Sequence, residues 1–143
     1  MTVLSPAPPL APAPAPAGRP APDTPRRILA VVTGRQGARA VLDEAHRTAL
    51  DTGQEVHTAL VLPRPPFVLD AALLARLTEE ADREEGELVG LVLQRASAAG
   101  VATRLSIHRP AGLRGRRRRR VLDRTVARLA RRLDAVPIGW PAP

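Results

Sequence analysis

The chain has no cysteine, no tyrosine and no lysine, and only one phenylalanine and one tryptophan. Without cysteine there is no disulfide framework, no thiolate metal site and no cysteine nucleophile. With Phe67 and Trp140 as the whole aromatic complement, the core has to be built from Leu, Val, Ala and Ile. The same scarcity removes the stacking platforms on which single-strand nucleic-acid binders rely. No apolar run approaches the roughly 20 residues that a membrane span needs, so no membrane partner is expected. The start, MTVLSPAPPLAPAPAPAG, lacks basic residues, and its prolines interrupt what would be the apolar core of a signal peptide, so the expected location is the cytoplasm.

Proline and arginine are what the chain has in abundance. Of the 143 residues, 16 are Pro, and residues 1–25 form an Ala-Pro tract that favours extended backbone over a packed core. Residues 1–25 are therefore expected to be a disordered tail, and residues 26–143 a single domain with its own core. All 22 basic residues are Arg, in keeping with a GC-rich coding sequence, and the net charge is +8. The charge is uneven: residues 101–143 hold 12 Arg against 2 acids, while residues 1–100 are slightly acidic. A basic C-terminal third suits an anionic ligand or nucleic acid, or serves solubility alone.

From Arg27 to Leu62 the pattern is strand, turn, amphipathic helix, turn, strand. Ile28 to Val32 is uninterruptedly apolar, which predicts a central parallel strand covered on both faces. Ala38, Val41, Leu42, Ala45 and Ala49 follow at helical spacing, with Asp43, Glu44 and His46 read as the solvated side. Gly53 ends this helix, and Glu55 to Leu62 forms the second strand. A long helix over 69–99 carries Leu69, Leu73, Leu77, Ala81, Leu88, Val92 and Ala96, with Gly86 expected to bend or split it. Val101 to His108 alternates, with Thr103, Leu105 and Ile107 on one side and Arg104, Ser106 and His108 on the other, the mark of a half-exposed edge strand. A last helix has Leu122, Val126, Leu129 and Leu133 on one stripe, and Ala135 to Trp140 reads as a fourth strand. Right-handed crossovers around a central first strand give a flavodoxin/Rossmann-like three-layer α/β sandwich, its parallel sheet of about four strands in the order 3-2-1-4.

In this order, ILAVVTGRQGARAVLDEA, TGQEVHTALVL, AAGVATRLSIHRPAG and ARRLDAVPIGW resemble the universal stress protein family over residues 27–140. The family's opening, usually written ILVAVDGS, is similar to the first of these segments. The resemblance implies a five-stranded flavodoxin-like sheet, often dimeric, with ATP or another adenine nucleotide as the cofactor of some members. It carries over Thr33, Gly34 and Val61 on the adenine side, and Gly139 as the first glycine of the family's phosphate loop, G-x2-G-x9-G-[ST]. Thr33 replaces the family's acidic residue, and Pro143 comes before the rest of that loop and the fifth strand. The function implied is therefore a non-catalytic, stress-associated or regulatory α/β domain with at most degenerate adenine-nucleotide binding.

Other constellations are weaker. Thr33 to Gly37 lacks the Lys-Ser/Thr of a Walker loop. His46, His57 and His108 lie on separate elements without metal-ligand spacing, so no metal site is expected. Glu79, Glu80, Glu84, Glu85 and Glu87 read as charged helix surface. Arg116, Arg117, Arg118, Arg119 and Arg120 stand at a helix start, where the helix dipole disfavours cations. Two readings remain: a solvated basic loop, or a rim at the carboxyl side of the sheet that attracts an anion. The alternative function is thus a basic nucleic-acid-associated module using the Arg-rich stretch 114–132. At the far edge Trp140 lies beside a fourth strand blunted by Pro137 and Pro141. It either forms a homodimer interface through that edge strand or folds back on the core.

Overall fold

The computed structural model describes residues 27–140; the expected tail and the last three residues lie outside them. In chain order the elements are β1 (Arg27–Val32), α1 (Ala38–Thr52), β2 (Glu55–Val61), α2 (Ala71–Ala99), β3 (Thr103–His108), a single 3-10 turn at Gly115–Arg117, α3 (Arg118–Leu133) and β4 (Ala135–Ile138). All pairings are parallel and the sheet order is β3-β2-β1-β4. β1 is central, as its unbroken apolar run requires, and five of its six residues are buried.

Side chains alternate across the sheet and divide the core in two. Ile28, Ala30, Val32, Val56 and Leu60 pack beneath α1 and α2 with Leu42, Leu88 and Val92. Leu29, Val31, Ala59 and Val61 pack beneath α3 with Leu122, Val126 and Leu129. The third strand behaves as its alternation predicts: Leu105 packs on the α1/α2 side, while Arg104, Ser106 and His108 share the α3 side.

Two local expectations are corrected. Gly86 does not split α2, which runs as one helix of 29 residues. Its start is fixed by Asp70, whose carboxylate accepts from the backbone N–H of Ala72 and Leu73, and its end by Gly100 in the left-handed conformation. One exposed glycine costs about 1 kcal/mol of helix propensity, and burial of Leu88, Val92 and Ala96 offsets it. His46 is not on the solvated side of α1. It is 2 % exposed and shares the buried face with Leu42, Ala45 and Ala49.

At 29 residues α2 is about 43 Å long, roughly twice the length of a strand of six or seven residues. Its buried residues all lie in its second half, so the first half rises beyond the carboxyl end of the sheet. That overhang forms one wall above the strand ends.

Candidate functional site

Ligands of doubly wound sheets bind beyond the carboxyl ends of the strands, where the chain changes from one face to the other. Here the change falls between β1, which leads to α1, and β4, which is reached through α3. Thr33 and Gly34 follow β1, and Gly139 follows β4. Val32 pairs with Leu60, so Thr33 and Val61 continue neighbouring strands at one level. The four residues carried over from the resemblance thus stand at the carboxyl ends of three adjacent strands.

Side chains of α1 and of the β4 end border this crevice, where Gly139 is exposed and Thr33 and Gly34 are half-buried. Gly139 has φ 74°, and a Cβ built on it would lie 2.7 Å from Cγ2 of Val41, so α1 rests directly on the end of β4. Val61 is fully buried in the α3-side core. Trp140 turns back onto the same core, its Nε1 donating to Asp123 Oδ1 at 3.0 Å. The Arg119 guanidinium stacks 4.8 Å from the indole centroid and pairs with Asp123 at 3.3 Å. One member of the arginine run therefore braces Trp140.

Arginines nearer the strand ends are also engaged. Arg35 pairs with Glu87. Arg109 donates to the Pro63 carbonyl at 2.6 Å and to Glu85 at 3.3 Å. Arg64 donates to the Arg109 carbonyl at 2.7 Å, and Arg114 to the Arg64 carbonyl at 2.9 Å. This lattice ties the loop after β2 to α2 and to the loop after β3. Glu85 and Glu87 are clamps rather than plain charged surface. Sequence spacing could not reveal this, because the partners lie 24 and 52 positions away. The two best-formed cavities, beside this lattice, hold about 180 and 210 Å³. Small-molecule pockets usually hold ~300–1,000 Å³.

Arg116, Arg117, Arg118 and Arg120 remain exposed, without an ion-pair or hydrogen-bond partner among the described residues. α3 begins there with no side-chain cap and no acid in its first turn. Arg124, Arg128 and Arg131 continue the exposed cationic surface along the helix.

A second polar cluster was hidden in the sequence by strand register. β2 pairs Ala59 with Ser106 and Val61 with His108, which brings His57, Ser106 and His108 onto one sheet face. Both imidazoles reach the same hydroxyl: His57 Nε2 and His108 Nε2 each lie 2.7 Å from Ser106 Oγ. Burial lowers the pKa of both histidines; His108, Arg27 and Arg104 lower His57 further, and Arg132 does the same for His108. Burial also lowers that of His46, which finds no hydrogen-bond partner for either ring nitrogen, while Asp43 partly opposes the effect. Among the described residues, no group of three or more His, Asp or Glu could hold a metal ion.

No family model and no curated protein sequence matches the chain. A solved structure does: the crystal structure of a protein from the universal stress protein family from Burkholderia pseudomallei, 22% identical, with 81% of this chain and 80% of that one covered at a TM-score of 0.52. The fold is that of a universal stress protein. The likeness is one of fold, and the expected parallel sheet of about four strands in the order 3-2-1-4 holds for the described residues, which do not include the family's fifth strand. No helix among them is long and apolar enough to cross a membrane.

Proposed function

We propose that this chain is a non-catalytic, stress-associated regulatory domain that keeps the universal stress protein fold with at most degenerate adenine-nucleotide binding. The observation that carries this reading is the close approach of Val41 to Gly139, which leaves no room for a side chain at the end of β4 and crowds the crevice from the α1 side. Trp140 narrows it from the α3 side. Thr33, where the family places an acid, offers a hydroxyl and no charge. The test is thermal unfolding with ATP, ADP and AMP. A functional site stabilises by about 2.7 kcal/mol at a hundredfold excess of ligand over Kd. We expect no resolvable shift at millimolar nucleotide; a shift of several degrees with one of the three overturns the reading.

The free arginines support a second reading, a nucleic-acid-associated module. Arg117 and Arg120 share one exposed cationic stripe with Arg124, Arg128 and Arg131, and Arg116 and Arg118 are exposed beside its start. Phosphate contacts of this kind carry no base information and give a steep salt dependence, with a slope of about −0.9 per phosphate on duplex DNA. Fluorescence anisotropy with a short duplex across a salt series tests it. A log–log slope near −4 that flattens when Arg116, Arg117, Arg118 and Arg120 become Gln supports the module. Binding that survives those changes counts against it. A homodimer through the β4 edge stands as a proposal of its own, and sedimentation of wild type and Trp140→Ala tests it.

A further inference from the structure

We propose that His57, Ser106 and His108 form a binding site for a phosphate group, distinct from the arginine run and set on the β3 side of Val61. The site lies on the α3 side of the sheet, where α3 packs on β1 and β4 and leaves much of β3 uncovered. Arg104 on β3 is exposed, and His57, Ser106 and His108 are half-buried. The other side of the same strand carries Thr103, Leu105 and Ile107, so the basic side chains and Ser106 share one face.

Convergence is the main argument. Two imidazole nitrogens from different strands point at one hydroxyl, each at 2.7 Å. A serine hydroxyl has one proton and two lone pairs, and a neutral imidazole one N–H and one lone pair. With both Nε2 atoms bonded to Ser106, the neutral trio keeps one free donor; protonation of both imidazoles raises this to three, the two Nδ1–H groups and the O–H. A phosphate oxygen cluster accepts from such donors.

The surrounding charge decides between an anion and a cation. Arg27 from β1 and Arg104 from β3 act on His57, and Arg132 from α3 acts on His108. The carboxylate on this face, Glu55 of β2, is engaged by Arg27 at 3.2 Å. With Arg27 balanced by Glu55, the guanidinium groups of Arg104 and Arg132 leave a positive field that repels a metal ion and attracts an oxyanion. The same groups hold the imidazoles neutral when the site is empty of anion, and a bound phosphate reverses that bias. Phosphate binding therefore couples to proton uptake, and affinity rises as pH falls through the histidine range.

The test follows the histidine side chains by NMR during titration with inorganic phosphate and, separately, ribose 5-phosphate, at pH 6.0 and 8.0. His46, buried on the opposite side of the sheet, is an internal control. We expect saturable shifts of His57 and His108 that leave His46 still, and an affinity for the phosphate dianion that tightens by up to about tenfold per pH unit through the histidine range for one coupled proton. Ser106→Ala weakens binding severalfold. Arg132→Gln, at an exposed helical position where folding is not at stake, does so as well. Changing Arg116, Arg117, Arg118 and Arg120 to Gln leaves binding intact, which separates this site from the nucleic-acid reading. Tighter binding of the ester assigns the site to an organic phosphate, and equal binding assigns it to the free ion. The proposal is overturned if His57 and His108 respond to neither compound, or if both Ser106→Ala and Arg132→Gln bind as wild type does.

Discussion

The two faces of the sheet are built to different standards. On one, two helices cover an apolar layer in which Ile28, Leu42, Leu60, Leu88 and Val92 are 1 % exposed or less. On the other, a single helix covers β1 and β4, its own core residues Leu122 and Leu129 stay 5 % and 6 % exposed, and the surface over β3 is polar. Charge divides the same way, with the acidic cluster on α2 and the arginines on α3. A sheet covered by two helices on one side and one on the other has a stable half and a surface available for binding. The proposed phosphate site and the cationic strip both lie on the thinly covered half.

That contrast predicts unequal core energetics. Leu60→Ala should cost about 3–5 kcal/mol in urea unfolding, and Leu129→Ala about 2–3 kcal/mol, because its half-open site relaxes or hydrates more easily. Equal losses would contradict the difference between faces. Gly139→Ala should destabilise by about 1–3 kcal/mol, since the new methyl meets both a left-handed backbone and Val41. In a double-mutant cycle, Val41→Ala should cost less in the Gly139→Ala background than alone.

The well-packed face has one flaw, and it gives the third prediction. His46 is buried there with neither nitrogen bonded. Replacement by Leu should stabilise the domain by about 1–2 kcal/mol near neutral pH, as an unsatisfied polar group is removed. Its folded pKa lies below the ordinary 6.5, as do those of His57 and His108. The unfolded chain therefore binds protons first, so stability is complete above pH 6.5 and falls as pH drops below it. His46→Leu should make that acid-side fall shallower. The smallest effect is expected on the other face: changing Arg116, Arg117, Arg118 and Arg120 together to Gln, with Arg119 kept on Trp140 and Asp123, should stabilise α3 by about 0.3–1 kcal/mol at low salt, and by less at high salt.

Strand order was legible in the sequence because burial leaves a direct trace: the unbroken run Ile28 to Val32 marks the centre, and the alternation from Thr103 to His108 marks the edge. Gly86 misleads because a local propensity cost is small beside the burial that anchors the rest of α2. His46 sits four residues after Leu42 and three before Ala49, on the apolar stripe; its spacing was the available signal, and its polarity concealed it. The link between His57 and Ser106 was not legible at all, since it depends on the register of β2 against β3. The alternation did place Ser106 and His108 on one side. Likewise the Arg35–Glu87 and Arg109–Glu85 clamps arise only once α2 overhangs the strand ends.

The most direct measurement is a backbone amide NMR titration of the protein with ATP. With Val41 crowding Gly139 and Trp140 folded onto the α3-side core, the amides of Thr33, Gly34, Val61 and Gly139 should stay in place at millimolar nucleotide. Saturable shifts of those four amides would contradict a degenerate site and show that adenine nucleotide enters between the ends of β1 and β4.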